Sequence, residues 1–233
     1  MSSTHPLRHD LRALALALLA GLVLWTLAYQ FPLFVGLPIG GDPQTHRRHD
    51  DAPYLHAFNA PEPDIPRQPE WWTLEPGYAY RWATADARIM LPGVGAGGWI
   101  VALHAGSGRP AGLTAPTHWQ LGTTPDLRLT LPATDRVYRV LTRADARGDL
   151  DIRMRTEPYT ALADPRDLGF VLRDVQLTPL TRAVHAPAAG QLGWLALTLA
   201  LVYALARWLI LAVRPALALT LGVALLLAAL LAT

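Results

Sequence analysis

Two hydrophobic patterns divide the chain. Residues 13–34 (ALALALLAGLVLWTLAYQFPLF), 188–206 (AAGQLGWLALTLALVYALA) and 216–233 (ALALTLGVALLLAALLAT) are near-continuous apolar runs with no Asp, Glu or His. Each is long enough to cross a hydrocarbon core of about 30 Å as a helix. Between the first two runs the apolar residues come singly and alternate with polar ones, the period of a half-buried strand. Leu150, Ile152 and Met154 against Asp151, Arg153 and Arg155 is the clearest case.

The alternating region reads as a series of short strands separated by Gly, Pro and Asp turns. Tyr78, Tyr80 and Trp82 alternate with Ala79 and Arg81. A short turn, ATAD at 83–86, precedes an apolar segment at 87–91, and PGVGAGG (92–98) forms a loop. Residues 99–104 (WIVALH) are apolar on both faces, as a central strand requires. Further strands are expected at 118–121, 127–131, 136–141 and 150–155. The last strand is expected within 164–180, DPRDLGFVLRDVQLTPL. There Leu168, Phe170 and Leu172 have even parity, whereas Val175 and Leu177 have odd parity. A strand holds one face at period two, so the slip near Arg173–Asp174 calls for a bulge or a break. About eight such strands and no useful helical run predict a mainly β domain, an antiparallel jelly-roll-type β-sandwich, flanked by one N-terminal and two C-terminal transmembrane helices.

The expected order is therefore a cytoplasmic N-terminus (1–12), a first span (13–34) and an extracytoplasmic linker (35–75). The β-sandwich ectodomain (76–182), a second span (188–206), a cytoplasmic turn (207–215) and a third span (216–233) complete it. Arg8 and Arg12 before the first run, and Arg207 and Arg214 between the last two, put both in the cytoplasm by the positive-inside rule. A cleaved signal peptide is the rival reading of the first run, but that run exceeds the usual 7–15 apolar residues and no small-x-small site follows. These features place the chain in a plasma (inner) membrane with the β-domain outside. The third run stops at Thr233 at bilayer depth, which suits both a protein that ends there and the front of a longer multi-spanning one.

Composition narrows the chemistry. Apolar residues make up 52% of 233, and the formal net charge is +2. The middle balances Arg against Asp and Glu, so it offers no basic patch for a phosphate backbone and nucleic acid is not an expected partner. There is no cysteine, which removes thiol nucleophiles, disulfides and iron–sulfur ligation. There is no lysine either, which removes Schiff-base and P-loop chemistry. The apolar runs lack the histidines or acids that redox proteins and pumps place in their spans.

Each candidate site also has a purely structural reading. THRRHDD supplies His46, His49, Asp50 and Asp51, but two arginines interrupt the set and no scaffold fixes it, so a solvated loop is favoured over a metal site. PGVGAGG lacks the GxGxxG register and a following helix, and no phosphate site is expected there. The four glutamates, Glu62, Glu70, Glu75 and Glu157, do not pair as a glycosidase requires. His104 and His118 read as polar-face residues. No catalytic set, metal or cofactor is expected. Aromatics give a better hint, because sugar-binding sandwiches stack pyranose faces on exposed rings. Tyr80, Trp82 and Trp99 fit a core by their alternation; Trp71, Trp72 and Trp119 are the candidate ligand-binding residues.

DDAPYLHAFNAPE, YRWATADARIMLPGVG and DPRDLGFVLRDVQL together resemble a β-sandwich ectodomain of bacterial membrane proteins. In that type the domain often sits between a first span and a multi-spanning glycosyltransferase-like region. In strand order it is also similar to galactose-binding-type carbohydrate modules. The resemblance covers about residues 50–180. It implies a non-catalytic accessory or binding role at the cell surface toward glycans or lipid-linked sugars, with the bilayer and other membrane subunits as further partners. Two alternatives stay open: the N-terminal part of an integral-membrane glycosyltransferase, which would be an enzyme only as part of a longer protein, and a structural subunit of a membrane complex.

Overall fold

The computed structural model describes residues 5–30, 35–40, 51–62, 79–110, 112–161, 164–180, 186–209 and 212–232. The chain divides into two compact units: Met1–Leu33, Ala146–Gly148 and Arg182–Thr233 form one, and Phe34–Asp145 with Asp149–Thr181 the other.

In the first unit α1 (His5–Ala28), α2 (Ala189–Trp208) and α3 (Val213–Ala232) pack together. All three are long and apolar enough to cross a membrane, judged by length and composition. Small residues set their spacing. Gly21 faces the tip of Leu199, and Leu199 is buried with Leu195 and Ala224; close backbone approach over glycine and alanine is how helices pack where water supplies no drive. Ala13, Tyr203, Ala206 and Ala216 form a second layer. The first helix starts earlier and ends earlier than the expected 13–34, so Asp10 lies within it. That acid is paired: Arg207 Nε lies 2.8 Å from it and the Tyr203 hydroxyl donates to it at 2.9 Å. The last turn closes with Gln30 Nε2 donating to Thr26 O.

Among the described residues of the second unit the elements are all strands apart from one 3₁₀ turn, Ala52–Tyr54. Its strands are β1 (Val35–Pro38), β2 (Leu55–Phe58), β3 (Arg81–Leu91), β4 (Gly98–Gly106), β5 (Ala115–Leu121), β6 (Leu127–Leu131), β7 (Arg136–Arg143), β8 (Leu150–Thr156), β9 (Tyr159–Ala161), β10 (Asp164–Leu168) and β11 (Val171–Pro179). Nine of them form one antiparallel sheet in the order β6-β5-β8-β3-β11-β4-β7, with β1 on β11 and β2 on β3; β9 and β10 pair separately. The sheet curls into a half-barrel rather than separating into two independent sheets, because β3 serves both halves. Its first residues pair with β11 and its last six with β8. This overturns the expected ATAD turn: residues 83–86 are strand, and the chain bends through them without leaving the ladder.

Inside the curl Ile89, Trp99, Val101, Leu103, Trp119, Leu121, Ile152, Met154, Phe170 and Leu177 form the main core. Burying side chains of this size stabilises by roughly 1.5–3 kcal/mol each. β4 lies between β11 and β7, in keeping with its two apolar faces. Tyr80 and Trp82 pack with Leu168 and Val171 in a smaller cluster.

The stretch 164–180 is two strands, not one. It breaks at Gly169–Phe170, where Gly169 N–H donates to Ala83 O at 2.7 Å and Ala83 N–H to Phe170 O at 2.8 Å. The parity slip is real. Leu172 pairs with Ala105 and Asp174 with His104, so two steps on β11 oppose one on β4 and Arg173 is the extra residue. The bulge turns Arg173 inward against Asp135, with both side chains almost wholly buried. Arg173 is thus the bulge residue that the parity slip calls for, and the sequence pattern did not show its partner.

Candidate functional site

The three strands β3, β8 and β5 lie side by side, and their alternation turns one row of each to solvent. β3 presents Asp86, Arg88 and Met90; β8 presents Asp151, Arg153 and Arg155; β5 presents His118 and Gln120. Register aligns the rows. Arg155 lies opposite Asp86 on one side and His118 on the other, and Arg153 lies between Arg88 and Gln120. On β6, Arg128 stands opposite His118.

The charges do not pair straight across. Asp86 accepts from Arg153 Nε at 2.9 Å and Nη2 at 2.6 Å, one step along the diagonal. Asp151 accepts in the same bidentate way from Arg88, at 2.6 and 2.8 Å. Such fork-to-carboxylate contacts are the strongest geometry open to an exposed ion pair. Arg153's hydrogen bond, ahead of any other influence, holds the Asp86 carboxyl below its ordinary range. Arg155 is left over. Its nearest carboxylate oxygen, on Asp86, is 3.8 Å away, beyond hydrogen-bond distance, and its side chain is 57% exposed.

Beside Arg155 the surface dips into a hollow of about 130 Å³ lined by His118, Gln120, Asp126, Arg153 and Arg155. His118 Nδ1 lies 3.5 Å from Asp126. Pockets for drug-sized ligands enclose roughly 300–1,000 Å³, so this one takes a single small group. Every lining side chain is polar, supplying guanidinium, imidazole and amide donors with carboxylate and amide acceptors. The lining holds one carboxylate, Asp126, and the neighbouring Asp86 is held by Arg153. Hydrolysis of a glycoside by paired carboxylates has no second group here.

The aromatic candidates fare differently. Trp119 is 0% exposed, with Tyr138 edge-on at 5.3 Å and Phe170 at 6.1 Å. Its ring belongs to the core, because β5 turns His118 and Gln120 outward and therefore Trp119 inward. It has no open face for a sugar. Trp71 and Trp72 lie outside the described residues, as do His46, His49, Asp50, Glu70 and Glu75. Asp51, from the THRRHDD stretch read as a solvated loop rather than a metal site, is wholly buried and accepts from Arg81 Nε at 2.7 Å and Nη2 at 2.8 Å. Burial raises its pKa, but Arg81 and the Gly40 N–H at 2.7 Å outweigh this and hold the carboxyl low. Among the described residues no group of three or more His, Asp or Glu is placed to hold a metal. Glu62 is tied to Arg166 at 2.6 Å and to the Tyr80 hydroxyl at 2.9 Å. His104 lies 3.7 Å from Asp174. The sequence alone does not group Asp86, His118, Gln120 and Asp126 as a site; the signal for the first three is the outward parity of β3 and β5, and Asp126 lies in the turn before β6, so only the register brings them together.

No protein-family model matches the sequence, and no curated protein matches it. The fold is weakly similar to several solved structures. A family 35 carbohydrate-binding module from Clostridium thermocellum aligns at 12% identity and a TM-score of 0.33, covering 53% of this chain and 88% of that one. The Podospora anserina GH26-CBM35 β-(1,4)-mannanase aligns at 11% identity and 0.35, covering 64% and 28%. The plant receptor-like kinase FER aligns at 13% and 0.40, covering 63% and 42%. This chain thus spans less than half the length of the latter two.

Proposed function

We propose that the chain is a membrane-anchored, extracytoplasmic binding module of jelly-roll, galactose-binding-like type. Its non-catalytic role is to hold glycans or lipid-linked sugars at the outer surface of the inner membrane. The observation that carries the reading is the hollow beside Arg155. Donors and acceptors converge there on a space for one small group, and one carboxylate alone lines it. Hydroxyl-rich ligands are recognised by such mixed polar linings, in which each hydroxyl both donates and accepts.

Anchoring rests on the three long apolar helices. Arg207 and Asp10 join the end of α2 to the start of α1. Arg12 and Arg214 belong to the same end of the bundle, the composition expected of a cytoplasmic face. The test uses the full chain in uncharged detergent micelles, screened against an array of bacterial-surface glycans and lipid-linked sugars. Binding to a defined subset, abolished by Gln120→Ala together with Asp126→Ala, is expected. A blank array would sink the reading.

A further inference from the structure

The outward face of β3, β8, β5 and the adjoining β6 carries Arg88, Arg128, Arg153 and Arg155 against Asp86, Asp126 and Asp151. Four guanidiniums face three carboxylates, which leaves one positive charge. Hydrogen bonds fix two of the pairings and leave Arg128 and Arg155 with Asp126; of those two arginines, Arg155 is the one that lines the hollow. Asp86 stands directly across from Arg155 yet gives both oxygens to Arg153, and Arg88 takes Asp151. Each pair is displaced along the same diagonal, so the row runs out of acceptors at Arg155. Among the described residues its donors make no hydrogen bond, the contact with Asp86 at 3.8 Å being an ion pair alone, and it lines the hollow.

We propose that the group this hollow takes is the carboxylate of an acidic sugar, a uronate, with Arg155 as its anchor. The proposal rests on the glycan-binding reading above and narrows it. A planar guanidinium fork matches a carboxylate bidentately. The one positive charge by which this face exceeds its carboxylates suits a monoanion better than a phosphate monoester, which brings about −1.5 to −2 at neutral pH. Gln120, His118 and Asp126 are then left for the ring hydroxyls, and Arg153, fixed by Asp86, stiffens the wall beside the carboxylate.

The test compares a galacturonate trisaccharide with its methyl ester, which keeps the hydroxyls and shape but removes the charge. Both are titrated by calorimetry into the full chain in uncharged micelles. The acid should bind about tenfold or more tighter at low salt, the size expected of one charge-assisted contact. The gap should narrow when salt rises from about 0.02 to 0.5 M, because the site is exposed. R155Q should erase the gap, so that acid and ester bind the variant with equal affinity. It should also melt like wild type, since no hydrogen bond is lost. R88Q, whose guanidinium Asp151 already holds, should keep the gap.

Equal affinity for acid and ester, or a gap that survives R155Q, overturns the uronate proposal and leaves glycan binding standing. Inorganic phosphate displacing the acid at equal concentration would also overturn it, assigning the seat to phosphate. If neither trisaccharide binds and the array is blank, the glycan reading falls as well.

Discussion

Arg173 and Asp135 form an ion pair whose side chains are 2% and 3% exposed, at the bulge that shifts β11 by one residue against β4. A charge taken from water is tolerated only while its partner is present, and removing one member of such a pair costs about 3–5 kcal/mol. Asp135→Ala should therefore lower the unfolding free energy by that amount. A swap of both residues for apolar ones of similar volume should cost far less. Chemical denaturation of the two variants decides; equal losses would show that the pair's charge is not what the bulge depends on.

Gly169 separates β10 from β11 with its backbone pressed onto β3. A Cβ there would lie 2.7 Å from Ala83 O and 2.9 Å from Thr84 O, and neither atom can rotate aside as a side-chain tip would. Gly169→Ala should thus cost about 1–3 kcal/mol, the range for forced overpacking. A thermal midpoint within a degree of wild type would contradict it.

Much of this architecture is legible as period two. Leu150, Ile152 and Met154 read directly as the buried row of β8, and the opposed parities of Leu172 and Val175 announce the bulge between them. What the bulge does with its extra residue is not local information. Arg173 reads as a bulge residue, and the partner that gives it a role lies 38 positions away. β1 escaped notice for a different reason: VGLP is four residues long, ends in proline and gains its ladder only by lying along β11. The break at Gly169 was equally hidden, since the even-parity apolar series runs straight through it.

The site was half visible. Asp151, Arg153 and Arg155 mark an exposed row by alternation alone, but its neighbours Asp86 and His118 lie in strands far apart in sequence, and which arginine lacks an acceptor depends on diagonal pairing. Trp119 illustrates the opposite error. A surplus of aromatics suggested a platform, whereas the polar residues on either side, His118 and Gln120, already set its parity inward.

His104 supplies a pH dependence. On β4 it faces Asp174 of β11 and Val137 of β7, near Asp135 and Arg173. Asp174 foremost, and Asp135 through space, hold its pKa above the ordinary value, while burial and Arg173 pull the other way. A raised folded-state value stabilises fully below the unfolded value of about 6.5, and that contribution is lost as pH rises through the folded value. Wild type should therefore lose a little stability, under about 1 kcal/mol for one part-exposed pair, as pH climbs past this window. His104→Gln should remove that slope. Parallel melting curves for the two proteins from about pH 5.5 to 8.5 would show that the pair contributes nothing.

Membrane orientation is testable because the chain has no cysteine to report falsely. Asp10 accepts from Arg207 and Tyr203, so the start of α1 and the end of α2 share one end of the bundle. Ala13 and Ala216 join Tyr203 and Ala206 in the layer beside it, which brings the start of α3 to the same end. With Arg12 and Arg214 added, that end holds the cations that favour the cytoplasmic side. A cysteine at Thr123, exposed in the β5–β6 turn, should react with a membrane-impermeant maleimide in spheroplasts. One at Ala212, exposed just before α3, should react only after the membrane is opened. The reverse pattern would overturn the proposed topology and, with it, the proposed outward-facing glycan site, because the β-unit lies in sequence between α1 and α2.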